Sequence, residues 1–228
     1  MPAPRCCDGG WPRSSIERMF DGSAVLPVAA PLARALPRGG LTRGSVVSVL
    51  GQGATSLLYT LLAGPAGCWS ALVGMPGLGL AAAAELGVDL NRVALIPDPG
   101  ADALQVVSIL IDGVDLVAVA LSPSIRPAPS RQRVIGGRLR QRGSVLLVLG
   151  PWPGADLVLT ARGIGWHGLG EGHGRLRDRE LAVQVGGRRA AGPGSRVELV
   201  LRADRGAVRI EPAAPAVPAA VPVVARVS

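Results

Sequence analysis

A glycine-rich segment that follows an apolar run is the part of this sequence best suited to chemistry. Val46–Leu50 has the composition of a buried strand, and residues 51–56 (GQGATS) lead from it into an apolar helix. This order is typical of a loop that binds the phosphates of a nucleotide, for which the pattern is G-x-x-x-x-G-K-[ST]. Such a loop holds phosphate with successive backbone N–H groups and a lysine. The segment is about two residues shorter than the pattern, and the chain contains no lysine. The sequence therefore predicts a nucleotide-binding fold that has lost its nucleotide.

The elements that must position this segment alternate along the chain between apolar strands and helices. Strands are predicted at Val46–Leu50, Trp69–Val73, Arg92–Ile96, Asp115–Leu121 and Ser144–Leu149. Helices are predicted at Thr55–Ala63, Leu78–Leu86, Ala101–Ile111 and Ser130–Arg140. Such alternation indicates βαβ units and an α/β fold with a mostly parallel central sheet.

Four later strands are separated by short glycine-rich turns and are expected to extend the sheet in antiparallel fashion. They are predicted near Asp156–Arg162, Leu181–Val185, Arg196–Arg202 and Ala207–Ile210. Residues 1–35 are predicted to be an irregular leader with one short helix at Ser14–Phe20. The core then covers residues 36–211, and residues 212–228, rich in proline and alanine, are predicted to be a disordered tail.

Composition restricts the partners and the compartment. The formal charge of +8 permits nucleic acid or an acidic protein as partner, although the exclusive use of arginine also reflects a high-GC coding bias. Cys6, Cys7 and Cys68 form no disulfide framework, and the start of the chain has no secretory signal pattern. We therefore expect a cytoplasmic, reduced protein. The uncharged stretch Gly44–Ala84 is broken by glycine and proline into pieces too short to cross about 30 Å of hydrocarbon.

The order of motifs over residues 36 to 210 resembles the core of the RecA recombinase. LPRGGLTRGSVVSVLG (residues 36–51) is similar to the RecA lead-in to its phosphate-binding loop. AAAAELGVDLNRVALIPDPGADAL (residues 81–104) is similar to a RecA passage from helix to strand, and GVDLVAVALS (residues 113–122) stands at the Walker B strand. The resemblance implies a RecA-like core with a nucleotide site at the carboxyl ends of its strands.

The residues that stand at the RecA nucleotide positions lack the required chemistry. The resemblance places the loop lysine at Thr55, the Mg²⁺ hydroxyl at Ser56, the water-activating glutamate at Met75 and the Walker B aspartate at Ala120. Gly150-Pro151 replaces the polar pair that senses the γ-phosphate. Since phosphoryl transfer depends on positioned charge and metal, the resemblance implies a protein without ATPase activity, cofactor or catalytic residues.

A short, arginine-rich RecA-like chain of this kind resembles the actinobacterial ImuA-prime (SulA-like) family. That resemblance implies a non-catalytic adaptor in an SOS-type, DNA-damage-induced translesion synthesis complex. Its expected partners are ImuB, a relative of the Y-family polymerases, and, through the complex, an error-prone C-family polymerase and DNA. Two alternatives remain open: a working RecA-type DNA-binding ATPase and a SulA-like inhibitor of cell division.

Several further residues are candidates for contact with a partner or with DNA. The basic candidates on the predicted helix after the Walker B strand and on its flanks are Arg126, Arg131, Arg133, Arg138, Arg140 and Arg142. An ordinary solvated helix face is the favoured explanation of them, because charge runs are usually solvated surface. A second basic group consists of Arg175, Arg177, Arg179, Arg188 and Arg189.

Tryptophans and histidines provide two weaker candidate sites. Trp152, in the GPWPG loop, is either an interface anchor or a cap on the sheet edge, and Trp11 and Trp166 are also candidate anchors. His167, Glu171 and His173 are too few for a structural zinc site, for which four ligands are usual, and no metal is expected there.

Overall fold

A nine-stranded mixed sheet with helices on both faces forms the core of the computed structural model, which describes residues 24–122, 125–169, 174–190 and 194–213. The strands are β1 (Val25–Pro27), β2 (Gly40–Thr42), β3 (Val46–Leu50), β4 (Ser70–Val73), β5 (Val93–Ile96), β6 (Leu116–Ala120), β7 (Val145–Leu149), β8 (Leu157–Leu169), β9 (Gly174–Gly186), β10 (Ser195–Asp204) and β11 (Ala207–Pro212). The helices are α1 (Ala30–Ala33), α2 (Ala54–Ala63), α3 (Leu80–Glu85), α4 (Ala103–Leu110) and α5 (Pro129–Arg142). Short 3₁₀ turns cover Pro37–Gly39, Leu90–Arg92 and Gly100–Asp102.

The strand order of the large sheet is β11-β10-β9-β8-β3-β7-β6-β4-β5. All pairings from β8 through β3, β7, β6 and β4 to β5 are parallel. The β8–β9, β9–β10 and β10–β11 pairings are antiparallel. The predictions of an α/β fold, a mostly parallel sheet and an antiparallel extension are therefore confirmed. The first strand of the extension, β8, also pairs in parallel with β3, a pairing that the prediction did not include.

Alternating side chains of the central strands feed two separate hydrophobic layers. In β7, Val145 and Leu147 pack on the side of α2, whereas Leu146 and Val148 pack on the side of α4 and α5. Because both faces of the parallel strands are covered, their sequences are continuous apolar runs, as is usual for buried parallel sheets. No helix in the described ranges is long and apolar enough to cross a membrane.

The last part of the expected leader belongs to the folded core. β1 pairs with β2 in a small antiparallel sheet, and the side chains of Leu26 in β1 and Leu32 in α1 are completely buried in the first hydrophobic layer. The expectation that all of residues 1–35 form an irregular leader is therefore wrong for residues 24–35. Short apolar segments interrupted by prolines gave no periodicity from which to predict them. The predicted tail of residues 212–228 is wrong for its first two residues, since Pro212 ends β11 and the Ala213 N–H donates to the Glu198 carbonyl at 2.9 Å. The predicted Ser14–Phe20 helix and residues 214–228 lie outside the described residues.

Candidate functional site

The glycine-rich turn lies at the carboxyl end of β3, where it is pressed against β8. The Gly53 N–H donates to the Ala161 carbonyl at 3.0 Å, and the Ala54 N–H donates to the Gly51 carbonyl at 3.1 Å. Gly51 has φ of +91°, and a Cβ atom at this position would overlap the Ala161 carbonyl oxygen. Two backbone amides at the start of α2 are thus used within the protein, so they do not form the open ring of N–H donors that phosphate requires.

Arg179 of β9 reaches the first turn of α2. Its Nη1 atom donates to the Ser56 hydroxyl at 2.5 Å, and its guanidinium lies 5.0 Å from the centre of the Trp166 ring on the neighbouring strand. Burial lowers the pKa of the Arg179 guanidinium, and its Nε atom is buried without a hydrogen-bond partner. No carboxylate of the described residues forms an ion pair with it. The Arg179 guanidinium therefore donates a hydrogen bond to the same hydroxyl that, by the RecA resemblance, would coordinate Mg²⁺.

The other residues at implied nucleotide positions lie at the same edge of the sheet. Ala120 ends β6, and Met75 follows the end of β4 and packs partly against the first hydrophobic layer. The Gly150 N–H donates to the Val49 carbonyl at 3.1 Å. Thr55 is exposed. Parallel pairing brings these positions to one edge, and none of them carries a carboxylate or a lysine, although Asp98, after β5, lines a cavity there with Gly74 and Ala120.

Trp152 lies inside the protein. It belongs to the segment of residues 150–156 that connects β7 to β8 across the face of β3, and only 6% of it is exposed. Its backbone N–H donates to the Ser48 hydroxyl at 3.0 Å, and its ring packs in the second hydrophobic layer. This short connection contains no helix, so the indole fills the space that a helix would cover. Trp152 is consequently not an exposed anchor on this chain.

The arginines of α5 divide into two groups. Arg138 and Arg142 form ion pairs with Asp112, at 3.7 and 3.3 Å, and Arg138 also donates to the Ser108 carbonyl. These contacts bind α5 to the end of α4. Arg131, Arg133 and Arg140 are exposed and form no ion pair with a described carboxylate. The structure therefore leaves three of the five candidate arginines for an external partner.

The second basic group is also divided. Arg188 and Arg189 pair with Asp156, at 3.5 and 3.2 Å, Arg177 is exposed, and the side chain of Arg175 lies outside the described residues. His167 pairs with Glu180 at 3.0 Å, and the described residues contain no cluster of three potential metal ligands. Glu171, His173, Trp11, Cys6 and Cys7 lie outside the described residues.

Sequence reasoning grouped Arg179 with surface cations and did not connect it to the glycine-rich turn. The Arg179–Ser56 contact joins residues that are 123 positions apart. It depends on the register of β9 against β8, in which Arg179 is opposite Trp166. Glycines and bulges in β8 interrupt the alternation from which that register could have been read.

The half-buried Cys68 thiol provides a prediction about reactivity. Burial and the nearby Asp115 carboxylate raise the pKa of Cys68 to about 11. Because the thiolate is the reactive form, we expect alkylation of Cys68 to accelerate about tenfold per pH unit up to pH of about 10. The measurement is the iodoacetamide rate in a C6S/C7S variant, with free cysteine as the reference thiol. A plateau near pH 9 would contradict the prediction.

The fold and the site together define an α/β protein whose glycine-rich turn is covered by contacts from β8, through Ala161, and from β9, through Arg179. Residues 34–154, more than half of the chain, match the model of the MT3502 N-terminal domain family. The chain therefore belongs to this family. The match begins at the end of α1 and ends before β8, so it does not include Arg179.

A curated relative matches half of the chain. The chain is 46% identical over 118 residues to the uncharacterized protein Rv3395c of Mycobacterium tuberculosis. The aligned part covers 50% of this chain and 57% of the relative. The chain thus spans little more than half of the length of that relative.

Proposed function

We propose that this protein is a non-catalytic adaptor, a RecA-like pseudo-ATPase that acts in the cytoplasm within a damage-induced, error-prone translesion synthesis complex. The class of complex comes from the resemblance of residues 36 to 210 to the RecA core and to the ImuA-prime family. The proposed partner is an ImuB-like relative of the Y-family polymerases, through which a C-family polymerase and DNA join the complex.

The observation that carries the non-catalytic part of the proposal is the Arg179–Ser56 contact. A cation that donates to the Ser56 hydroxyl at 2.5 Å competes with Mg²⁺ both for the oxygen lone pairs and by charge repulsion. The backbone amides of Gly53 and Ala54, which would have to bind phosphate, already donate to protein carbonyls. A nucleotide would have to break these contacts, and the turn has no lysine to repay that cost.

We predict that the purified protein does not bind Mg-ATP. The measurement is a titration with a fluorescent ATP analogue, with and without Mg²⁺, continued into the millimolar range, and a parallel assay of phosphate release. Saturable binding that requires Mg²⁺ would contradict the pseudo-ATPase proposal and favour the RecA-type ATPase.

Partner capture tests the adaptor part. The tagged protein is purified from DNA-damaged cells, and captured proteins are identified by mass spectrometry. We expect a Y-family polymerase relative, retained after nuclease treatment because the contact is between proteins. Recovery of a cell-division protein in its place would favour the SulA-like alternative.

A further inference from the structure

A groove on the α5 side of the sheet has the chemistry of a binding site. It lies between α5 and the β7–β8 connection and has a volume of about 340 Å³. We call it the α5 groove; its lining includes Val46, Arg133, Gly136, Arg140, Pro153 and Arg188. This volume is at the lower end of the range for ligand pockets, which suits a few side chains of a partner.

The rim of the α5 groove is strongly positive. Arg133 and Arg140, about two turns apart on α5, have no ion-pair partner among the described carboxylates. Arg188, on the opposite side, shares Asp156 with Arg189 and is 68% exposed. The Asp156 carboxylate is 15% exposed and accepts the Val46 N–H at 3.0 Å. The lining therefore contains three guanidinium groups and one partly buried carboxylate, that of Asp156, and the rim has a net positive charge.

The floor of the groove is apolar and open. Val46, Pro129, Pro153 and the buried Trp152 line it. Gly136 contributes no side chain, and a Cβ atom there would meet only the flexible end of Arg140, at 3.5 Å. An apolar floor with a cationic rim is complementary to an apolar side chain flanked by carboxylates.

We propose that the α5 groove binds an acidic segment of a protein partner, with an apolar side chain on the floor and carboxylates at Arg133, Arg140 and Arg188. Guanidinium groups recognise carboxylates by paired hydrogen bonds. A protein segment fits better than nucleic acid because the groove has no exposed aromatic ring on which bases could stack. Asp112 also pairs with Arg138 and Arg142, which leaves fewer unpaired cations in a row for a phosphate backbone.

The binding of an acidic segment in the α5 groove rests on the adaptor proposal and specifies the chemistry of the partner. Different experiments test the groove and the adaptor role, so one claim can be contradicted while the other stands. A direct peptide measurement reports on the groove, whatever the biological complex is. Partner capture reports on the identity of the complex, wherever the partner binds.

The first test fills the groove without changing its charge. Gly136→Leu places a side chain over the floor, and Gly137→Leu is the matched control, because Gly137 is not part of the lining and has open space around its Cβ position. Both changes improve helix propensity, so both variants should fold. The probe is a fluorescein-labelled peptide of alternating Glu and Leu, with a Gln-for-Glu peptide as the uncharged reference. We expect Gly136→Leu to weaken binding about tenfold or more, and Gly137→Leu to leave it unchanged.

The second test removes charge at the rim. Arg133→Gln with Arg140→Gln should weaken binding of the acidic peptide about tenfold. Arg34→Gln with Arg162→Gln removes the same charge at two exposed residues outside the groove and should have little effect. The proposal is overturned if the two double variants lose the same affinity for the acidic peptide, or if the two leucine variants do. It is also overturned if the unmodified protein does not bind the acidic peptide. Tighter binding of a single-stranded oligo-dT than of the peptide, lost in the Arg133/Arg140 variant, would overturn it in favour of nucleic acid.

Discussion

Replacement of Asp115 by alanine is expected to lower the free energy of unfolding by about 3 kcal/mol. Asp115 is at the amino-terminal edge of the sheet, opposite the glycine-rich turn. Its carboxylate accepts from Arg43 Nη1 at 3.2 Å and from the Trp69 backbone N–H at 3.1 Å. Both side chains of the ion pair are less than one-fifth exposed, at 17% and 18%. Loss of the carboxylate takes the counter-charge from a largely buried cation, which keeps its hydrogen bond to the Gly143 carbonyl, and removes one acceptor of a backbone donor. Both effects together cost more than the loss of an exposed ion pair.

Equilibrium urea unfolding measures this effect. The matched control is Asp204→Ala, which removes the exposed Arg209–Asp204 pair and should cost less than about 1 kcal/mol. Arg43→Met combined with Asp115→Ala should be more stable than Asp115→Ala alone, because it removes the unpaired cation. Equal stability losses for Asp115→Ala and Asp204→Ala would show that the Arg43–Asp115 pair does not stabilise the sheet edge.

Replacement of Gly51 by alanine is expected to cost about 2–4 kcal/mol. Two effects add at this position. The φ of +91° is unfavourable for any residue with a Cβ atom, and that atom would overlap the carbonyl oxygen of Ala161. To relieve the overlap, the turn must move away from β8, which breaks the Gly53–Ala161 hydrogen bond.

Gly206→Ala isolates the contribution of the backbone angle. Gly206 has φ of +87° in the β10–β11 turn, and no heavy atom lies within 4 Å of its Cβ position. Its replacement should cost about 1 kcal/mol, so the difference between the two variants in urea unfolding measures the contact between the turn and β8. If Gly51→Ala costs no more than Gly206→Ala, the turn does not pack against β8 in solution.

The order and type of the elements could be read from the sequence because burial on both faces leaves a simple pattern. β3 and β7 are apolar at nearly every position, and the predicted Val46–Leu50 and Ser144–Leu149 agree with the observed strands to within one residue. The lengths of β8 and β9 could not be predicted. Both extend to 13 residues, but Gly163, Gly165 and Gly168 interrupt the alternation in β8.

The positions of the candidate binding residues depended on packing. Sequence spacing placed five arginines in one group on α5, but the approach of Asp112 from the α4–β6 connection takes Arg138 and Arg142 out of it. Arg188 joins the remaining cations at the groove from a turn that is far away in sequence. No local sequence pattern shows which arginines reach the groove, because that depends on how the β7–β8 connection crosses the sheet.

The sequence by itself determined that neither lysine nor carboxylate stands at the positions that the RecA resemblance assigns to nucleotide chemistry, since residue types are independent of the fold. Only the tertiary structure decided which contacts the glycine-rich turn makes. The antiparallel pairing of β9 with β8 brings Arg179 to Ser56, and the close approach of Gly51 to Ala161 seals the turn. Both contacts depend on strand register between distant segments, which is determined by packing of the whole sheet rather than by neighbours in the chain.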